Sequence, residues 1–353
     1  MDIGDYFSRT RPLIDSAMGQ AFPRDINPSW LEQNLGASYY AFDTGIWKKA
    51  LADPFYRLFD RGGKRIRPVL ACLTHDALLG ENQEIYVLSL IPEILHTGSL
   101  IVDDIQDNSE LRRGGESIHI QYGGTIALNC GNFCYFYAQV VLSNSKLAPT
   151  KKQKISDILE REMALAHIGQ GMDLFWSQNR NFDVDLREYL QMSAYKTGTL
   201  VKVAVAVGGV AAKANDEQLA GLYQCATPVG VAFQIQDDIK NLKLSGEKGK
   251  VKGEDITEGK LTFLVIDTLA KASPTDRKDL VAILSSKSKD ESSIKAAIDI
   301  MEKYDAFTTA HKYAEILIND AKESAHKVIP DSEHKGIFME LLDSVVRVDP
   351  KQE

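Results

Sequence analysis

Cysteine is scarce in this sequence, and its spacing argues against two classes of protein. The 353-residue chain has four cysteines, Cys72, Cys130, Cys134 and Cys225, and no two of them form a Cys-x-x-Cys pair. This pattern indicates neither a zinc site nor the disulfide framework of a small secreted domain. We therefore predict an intracellular, cytoplasmic protein in a reducing compartment.

Long apolar runs and an excess of positive charge are missing as well. The longest apolar stretch, residues 203–212, is about half of the roughly 20 residues that a membrane-spanning helix requires. The first residues, MDIGDYFSRTRPLID, are acidic and polar where a signal peptide would be basic and then apolar. The net charge of -8 argues against nucleic acid as a partner. We expect no transmembrane segment and no nucleic-acid partner.

Alternating strand patterns bounded by hairpin turns are also missing, whereas helical periodicity runs through most of the chain. Apolar residues recur at steps of three and four in six segments, 66–79, 85–102, 126–142, 155–175, 186–210 and 219–242. The breaks between them are short, and no linker rich in Pro, Gly or Ser divides the chain. We predict an all-α fold, a single domain over residues 1–353 whose central helices are long and largely buried.

Acidic side chains end two of the predicted helices. The segment HTGSLIVDDIQDNSELRRG places Asp103 and Asp107 on one helical face, with Asp104 turned by roughly a third of the circumference. The segment VAFQIQDDIKN ends in the same way, with Asp237 and Asp238. Because a helix dipole disfavours negative charge at this end, two such pairs predict a bound cation. The alternative for each pair is a helix cap or a salt-bridged surface pair.

Basic residues accompany the acids and indicate a phosphate ligand. GGKRIRP places Lys64 and Arg67 three apart, on one helical face, and Arg112 and Arg113 follow about one and a half helical turns beyond Asp107. Carboxylates suit magnesium, which proteins usually hold by one or two carboxylates together with substrate phosphates. Arginine forks match phosphate oxygens. The combination predicts a clamp for magnesium diphosphate.

A di-iron site is the rival interpretation. His96 lies nearly in phase with Asp103, and Glu93 and His96 form a Glu-x-x-His pair, as do Glu323 and His326. Helical bundles use this pair to hold two irons, together with glutamates from the other helices. An iron site does not need arginine pairs or double aspartates, so the magnesium interpretation explains more of the sequence.

A lysine-rich segment stands out among the loops. LSGEKGKVKGEDITEGK, residues 244–260, has four glycines and four lysines. This composition suits a mobile flap over an anionic ligand, and a plain solvated loop is an equal alternative.

The motifs together resemble those of the trans-isoprenyl diphosphate synthases, or polyprenyl synthetases, and most closely the geranylgeranyl diphosphate synthases. GGKRIRP, LHTGSLIVDDIQDNSELRRG, GQGMDLFW, YKTGTL, FQIQDDIKN and GEDITEGKLTF occur in the family's order and spacing over residues 62–263. DDIQD is similar to the first aspartate-rich motif, and DDIKN to the second, with Asn241 in place of aspartate. The resemblance implies the isoprenoid synthase fold, a single-domain bundle of long antiparallel helices around a central cavity. Residues 1–41 form an N-terminal extension outside the match, with no expected role beyond packing or dimer contacts.

The resemblance also implies roles for individual residues. It implies that three magnesium ions bind Asp103, Asp107 and Asp237, with Asp104, Asp238 and Asn241 in support. Isopentenyl diphosphate would bind Lys64, Arg67, His96 and Arg113. The allylic diphosphate would bind Arg112, Lys196, Thr197, Gln234, Lys250 and Lys260, with Gln170 and Asp173 near the reacting carbons or the metals.

The implied activity is head-to-tail trans condensation of isopentenyl diphosphate with allylic diphosphates, by a homodimer. In the family, bulky residues four or five places before the first motif limit product length. Ser99 and Gly98 are small, which predicts a chain longer than C15 and, from the closest resemblance, geranylgeranyl diphosphate (C20). The alternatives are a longer-chain synthase, a class I terpene cyclase and a non-catalytic subunit. The contiguous Asn108-Ser109-Glu110 lacks the spacing of a cyclase motif, and both acidic motifs are present.

Overall fold

The computed structural model describes residues 1–243 and 253–347, and α-helices make up most of this part of the chain. The helices are α1 Ile3–Ala21, α2 Pro28–Leu35, α3 Gly45–Trp47, α4 Asp53–Phe59, α5 Ile66–Ala77, α6 Ile85–Leu88, α7 Leu90–Gln106, α8 Ile118–Tyr122, α9 Gly124–Asn144, α10 Pro149–Asn179, α11 Leu186–Ser193, α12 Thr199–Ala211, α13 Asp216–Lys243, α14 Glu254–Glu258, α15 Phe263–Lys271, α16 Pro274–Ser286, α17 Glu291–Lys303, α18 Ala306–Val328 and α19 Glu333–Val346. Two π-helical turns, Lys48–Ala52 and Ala194–Gly198, and one antiparallel hairpin, β1 Leu111–Arg112 with β2 Gly115–Glu116, complete the elements. The all-α prediction is confirmed.

Two of the six predicted helical segments are interrupted. Segment 85–102 divides into α6 and α7 at Ser89, just before Pro92, because proline has no N–H to continue the helical hydrogen bonds. Segment 186–210 contains the π-helical turn Ala194–Gly198, which inserts a residue into the helical repeat. The other four segments are helices, with ends that lie within six residues of those predicted.

The chain forms two compact units. The first comprises Met1–Leu159, Val203–Leu219 and Ile329–Phe338, and the second comprises Glu160–Lys202, Ala220–Val328 and the described part of Met339–Glu353. The prediction of a single domain over residues 1–353 stays a prediction.

The core of the first unit includes the N-terminal extension. α1 buries one face, formed by Tyr6, Thr10, Ile14, Ala17 and Met18, against α5, α6 and α7. Beyond α1, the ring of Phe22 contacts Trp47, Phe55 and Tyr137, at centroid distances of 5.3, 4.6 and 5.0 Å. α1 and Phe22 therefore pack into the core of this unit, and the role of residues 1–41 as a whole stays a prediction.

One described segment is long and apolar enough to cross a membrane. It covers Ile85–Gln106. An 18-residue stretch of it has a mean hydropathy of 1.6, and 67% of that stretch is buried inside the structure. Such burial is typical of a core helix. The segment is not an uninterrupted apolar run in the sequence, because polar residues are scattered along it.

Candidate active site

The first aspartate motif lies at the C-terminal end of α7, in the first unit. Asp104 is fully buried, and one of its carboxylate oxygens accepts hydrogen bonds from Nε and Nη2 of Arg112, at 2.6 and 2.5 Å. Burial raises the pKa of Asp104, and Arg112 opposes this rise. Asp103 and Asp107 are half-buried on the adjoining face, and the backbone N–H of Asp107 bonds to the carbonyl of Asp103. The motif thus divides into one structural carboxylate and two more accessible ones.

Arg112 and Arg113 do not continue the helix, so their predicted helical placement was wrong. α7 ends at Gln106, and Asn108 takes a left-handed conformation with φ 53°. Arg112 then lies in β1, and Arg113 and Gly114 form the hairpin turn with φ 50° and 78°. Two successive positive φ values are those of a tight turn that suits the twist of β-strands.

The Gly62-Gly63 turn brings a second basic segment into contact with the hairpin. Gly62 and Gly63 have φ of 88° and 136°, which glycine adopts readily. Nη1 of Arg113 donates a hydrogen bond of 2.7 Å to the carbonyl of Gly62. α5 begins only at Ile66, so the prediction that Lys64 shares a helical face with Arg67 was wrong.

His96 and Glu93 serve different purposes from those of an iron site. Arg65 donates a 3.0 Å hydrogen bond to the buried Glu93. Burial, reinforced by nearby arginines, Arg67 foremost, holds the pKa of His96 well below its usual range. The imidazole is therefore neutral at pH 7. Within residues 1–243 and 253–347, no three His, Cys, Asp or Glu side chains cluster as a metal site, whereas magnesium needs one or two carboxylates besides its phosphates.

The two small residues before the first motif have different surroundings. A Cβ atom on Gly98 would lie 2.5 Å from Cβ of Cys134 and 2.9 Å from the carbonyl oxygen of Gly131, both on α9. Gly98 therefore permits the close approach of α7 and α9. Ser99 is half-buried, and its hydroxyl bonds to the carbonyl of His96 at 2.9 Å. Of the two predicted chain-length residues, only Ser99 has a side chain, and Gly98 lies against α9.

The second aspartate motif ends α13, in the second unit. Asp238 is buried and accepts hydrogen bonds from the Tyr189 hydroxyl (2.7 Å), the Phe263 backbone N–H (2.9 Å) and Nε2 of Gln234 (3.0 Å). Burial, reinforced by the charge of Asp255, raises the pKa of Asp238 to about 7. Asp237, the neighbouring residue, is exposed. The division between one structural and one accessible carboxylate is the same as in the first motif.

Asn241 completes the second motif and contacts the segment that follows α13. Its side-chain oxygen accepts a 3.3 Å bond from the Asp255 N–H, and its carbonyl accepts a 3.0 Å bond from the Gly253 N–H. Lys250 lies outside the described residues. The described part of the predicted flap contains the short helix α14. Lys260 follows this helix and pairs with Glu258 at 2.6 Å.

Lys196 and Thr197 lie on the π-helical turn Ala194–Gly198. Nζ of Lys196 is 2.6 Å from a carboxylate oxygen of Asp173, and the Thr197 hydroxyl donates to Oε1 of Gln234 at 2.7 Å. A Cβ atom on Gly169 would lie 2.4 Å from the backbone nitrogen of Lys196, so this glycine, next to Gln170, lets α10 approach the turn. The structure thus brings together five of the predicted residues of this unit: hydrogen bonds connect Thr197, Gln234 and Asp238, and Lys196, next to Thr197, pairs with Asp173.

Sequence reasoning missed three residues that support the site. Tyr189 holds Asp238 across 49 residues of sequence, and Arg65 holds Glu93 across 28. Arg61 donates to the hairpin backbone at 2.8 Å. The only available signal was a polar group within an apolar or glycine-rich segment, which does not identify a partner so far along the chain.

The donor atoms fit a hard divalent cation. Asp103, Asp107 and Asp237 present carboxylate oxygens at helix ends, and oxygen ligands of this kind suit magnesium. Asp104 and Asp238 already accept strong hydrogen bonds from protein groups, so they are better suited to orient these ligands than to bind metal themselves.

Comparisons with known proteins give one consistent family. The family model described as polyprenyl synthetase matches residues 48–301. A geranylgeranyl diphosphate synthase from Saccharolobus solfataricus is 34% identical over 282 residues, which cover 78% of this chain and 84% of that protein. The crystal structure of a geranylgeranyl pyrophosphate synthetase from Pyrococcus horikoshii has a TM-score of 0.83 and 26% identity, and the match covers 98% of this chain and 99% of that one. A synthase from Corynebacterium glutamicum, complexed with isoprenyl diphosphate and magnesium, has a TM-score of 0.82, 19% identity and coverage of 98% and 99%.

Proposed function

Because this chain belongs to the polyprenyl synthetase family, we propose that it is a magnesium-dependent trans-prenyltransferase that makes geranylgeranyl diphosphate. The relative from Saccharolobus solfataricus, 34% identical, is a geranylgeranyl diphosphate synthase, which supports this product. The observation that carries the proposal is the difference in burial between adjacent carboxylates in both aspartate motifs. In each, a buried carboxylate is fixed by protein donors beside a more accessible one.

The accessible carboxylates are the proposed metal ligands. Asp103, Asp107 and Asp237 would hold the magnesium ions, three by family resemblance, while Asp104, Asp238 and Asn241 would orient them. Bound magnesium would stabilise the negative charge that develops on a leaving diphosphate. The related fold from Corynebacterium glutamicum carries magnesium together with isoprenyl diphosphate.

The basic side chains are the proposed diphosphate ligands. Lys64, Arg67 and Arg113 would bind isopentenyl diphosphate through charge-assisted hydrogen bonds. His96, neutral because its pKa is lowered, would donate one N–H to a phosphate oxygen. The allylic diphosphate would bind a second set, comprising Arg112, Lys196, Thr197, Gln234, Lys250 and Lys260. Gln170 and Asp173 would lie near the reacting carbons.

The reaction needs no protein nucleophile. The bond between C1 and oxygen of the allylic substrate breaks, and diphosphate leaves with the electron pair. The double bond of isopentenyl diphosphate attacks C1, and a carbon–carbon bond forms. The carbocation that results loses a proton from its adjacent carbon to the departing diphosphate, and the electron pair of that C–H bond forms the new double bond. Fixed cationic side chains such as Lys196 stabilise the leaving group most when water is excluded from it.

Two further properties belong to the proposal. We place the enzyme in the cytoplasm because all four cysteines are free and buried, as expected in a reducing compartment. We expect a homodimer through α9, where Leu128 and Phe136 are 43% and 75% exposed although both are large apolar side chains.

Sizing the products tests the function directly. The protein would be incubated with magnesium, isopentenyl diphosphate and, separately, C5, C10 and C15 allylic primers. We expect a C20 diphosphate from each primer, and loss of activity when the metal is removed with a chelator and its return when magnesium is restored. Products that stop at C15 would contradict the proposed chain length, longer ones would establish the longer-chain alternative, and cyclic hydrocarbons would establish a cyclase.

A further inference from the structure

Arg61 holds both strands of the β1–β2 hairpin. Its Nη1 donates to the carbonyl oxygen of Arg112 and its Nη2 to that of Glu116, each at 2.8 Å. The two carbonyls belong to opposite strands, so one planar guanidinium fixes the separation of the strands. A two-stranded hairpin of two residues per strand has little stability of its own, and it depends on such contacts.

The contact is reciprocal. Arg61 comes just before the Gly62-Gly63 turn and reaches the hairpin backbone, while Arg113 comes from the hairpin and reaches the carbonyl of Gly62 at 2.7 Å. Each of two basic segments therefore holds the backbone of the other. We call these three hydrogen bonds, from Arg61 to Arg112 and Glu116 and from Arg113 to Gly62, the arginine clasp.

Gly115 makes room for the clasp. A Cβ atom on Gly115 would lie 2.9 Å from Cζ of Arg61 and 3.1 Å from its Nε. The guanidinium therefore lies directly against the hairpin backbone, and any side chain at position 115 would push it away. Burial, reinforced by Arg57, lowers the pKa of Arg61.

We propose that Arg61 is a positioning residue for the diphosphate site, which acts by fixing the backbone that carries Arg112 and Arg113. The inference rests on the proposed function, in which these two arginines bind the two substrates. Arg61 donates hydrogen bonds to backbone carbonyls, so it acts on a diphosphate through Arg112 and Arg113. The guanidinium of Arg112 is also held by Asp104, at 2.6 Å, which lies outside the clasp. The guanidinium of Arg113 is held by the Gly62 carbonyl, and this bond is part of the clasp. Loss of Arg61 should therefore weaken the isopentenyl diphosphate site more than the allylic site.

Four variants test the clasp. Arg61→Gln removes the fork, Arg61→Lys keeps the charge but can reach only one carbonyl, and Gly115→Ala displaces the guanidinium without changing any charge. The double variant Arg61→Gln/Gly115→Ala measures coupling. Arg57→Gln is the matched control. Arg57 lies four residues earlier, in α4, and among the described residues its side chain bonds only to Oε1 of Gln121, at 2.8 Å. Gln121 donates its Nε2 to the carbonyl of Glu116, and this bond does not need Arg57.

We expect Arg61→Gln to raise KM for isopentenyl diphosphate about tenfold, with a smaller change in KM for the allylic primer. Gly115→Ala should give a similar rise, the double variant no more than either single one, Arg61→Lys an intermediate rise, and Arg57→Gln none. The dissociation constant of inorganic pyrophosphate, measured by calorimetry in magnesium buffer, should follow the same order. Thermal midpoints should stay within about 3 °C of the parent protein, since the hairpin is small.

Each other outcome overturns the inference. If Arg57→Gln raises KM as much as Arg61→Gln does, the loss of positive charge is responsible. If the effects of Arg61→Gln and Gly115→Ala on KM add in the double variant, the two residues act separately. If KM rises only in variants whose thermal midpoint also falls, the role of Arg61 is only structural. A parent protein that forms no prenyl product would refute the proposed function instead. The pyrophosphate measurements would still test the clasp in that case.

Discussion

Asp237 and Asp238 are adjacent in sequence but have opposite environments. Asp237 is exposed, whereas Asp238 is 3% exposed and accepts hydrogen bonds from Tyr189, Gln234 and the backbone of Phe263. Two identical side chains in adjacent positions therefore separate the proposed metal ligand from a structural carboxylate. The same contrast, between Asp103 and Asp104, occurs in the first motif.

Alanine at each position should separate the two roles. Asp238→Ala leaves three donors without their acceptor, so we expect the free energy of unfolding to fall by at least about 2 kcal/mol. Asp237→Ala should change it by less than about 0.5 kcal/mol, as is usual for exposed sites, yet should lower kcat by roughly 100-fold or more. Urea denaturation and steady-state kinetics on both variants measure this. Equal loss of stability at both positions would contradict the assignment of Asp237 as the ligand.

The aspartates of the two motifs could be predicted more easily than which of them is buried. Two Asp pairs at helix ends identify the motif, because four-residue spacing fixes the shared face. Which carboxylate is buried depends on Tyr189 and Arg112, the first of them 49 positions away from its partner. Spacing along one helix has no information about such partners.

At the scale of elements, α7 and α9 pack so closely that glycine is needed on both. A Cβ on Gly131 would lie 2.6 Å from Cγ2 of Val102, just as one on Gly98 would meet Cys134 and Gly131. Helix pairs with such contacts approach closely over one turn and resist any added atom. Gly98 therefore has a packing reason for being small that is independent of product length.

Gly98→Ala should reveal this packing constraint. The added methyl meets a backbone oxygen, which cannot rotate away, so overpacking of about 1–3 kcal/mol should exceed the gain of up to about 1 kcal/mol in helix propensity. We expect lower stability and unchanged product length. Gly19→Ala in α1, with open space around it, should instead stabilise by about 0.5 kcal/mol. A shorter product from Gly98→Ala at full stability would show that this position limits the chain.

Helix types were predictable, while interruptions and the hairpin were not. Periodicity of three and four identifies α5, α9, α10 and α13 because each presents an apolar face to a core. The hairpin at Leu111–Glu116 escaped notice because four strand residues are too few for an alternating pattern, and Arg113 is not a residue that signals φ above zero. The consequence was a wrong helical placement for Arg112 and Arg113.

At the scale of the whole molecule, connectivity bears on how the chain unfolds. The chain passes between the two compact units five times, at residues 159/160, 202/203, 219/220, 328/329 and 338/339. Units joined by one linker can unfold separately, whereas repeated crossings mean that few segments can unfold without affecting both. This favours cooperative unfolding, as predicted for one domain, although a chain longer than about 150 residues often shows intermediates.

The four cysteines provide reporters for this question. Cys72, Cys130 and Cys134 lie in the first unit and Cys225 in the second, and none is more than 1% exposed. Burial raises the pKa of Cys72 and of Cys225 to about 12, so thiolate is scarce as well as inaccessible in the folded protein. Labelling of these thiols should require unfolding.

Pulse alkylation along a guanidinium series, with peptide mass spectrometry, should therefore find almost no labelling at zero denaturant and complete labelling of all four sites when unfolded. If the repeated crossings make the units cooperative, Cys225 and the other three should share one midpoint, which should coincide with that of far-UV circular dichroism. The comparison is internal, because reagent, pH and exposure time are the same for every site in a sample. A separate midpoint for Cys225 would mean that the second unit unfolds by itself, and the chain would then have to be counted as two domains.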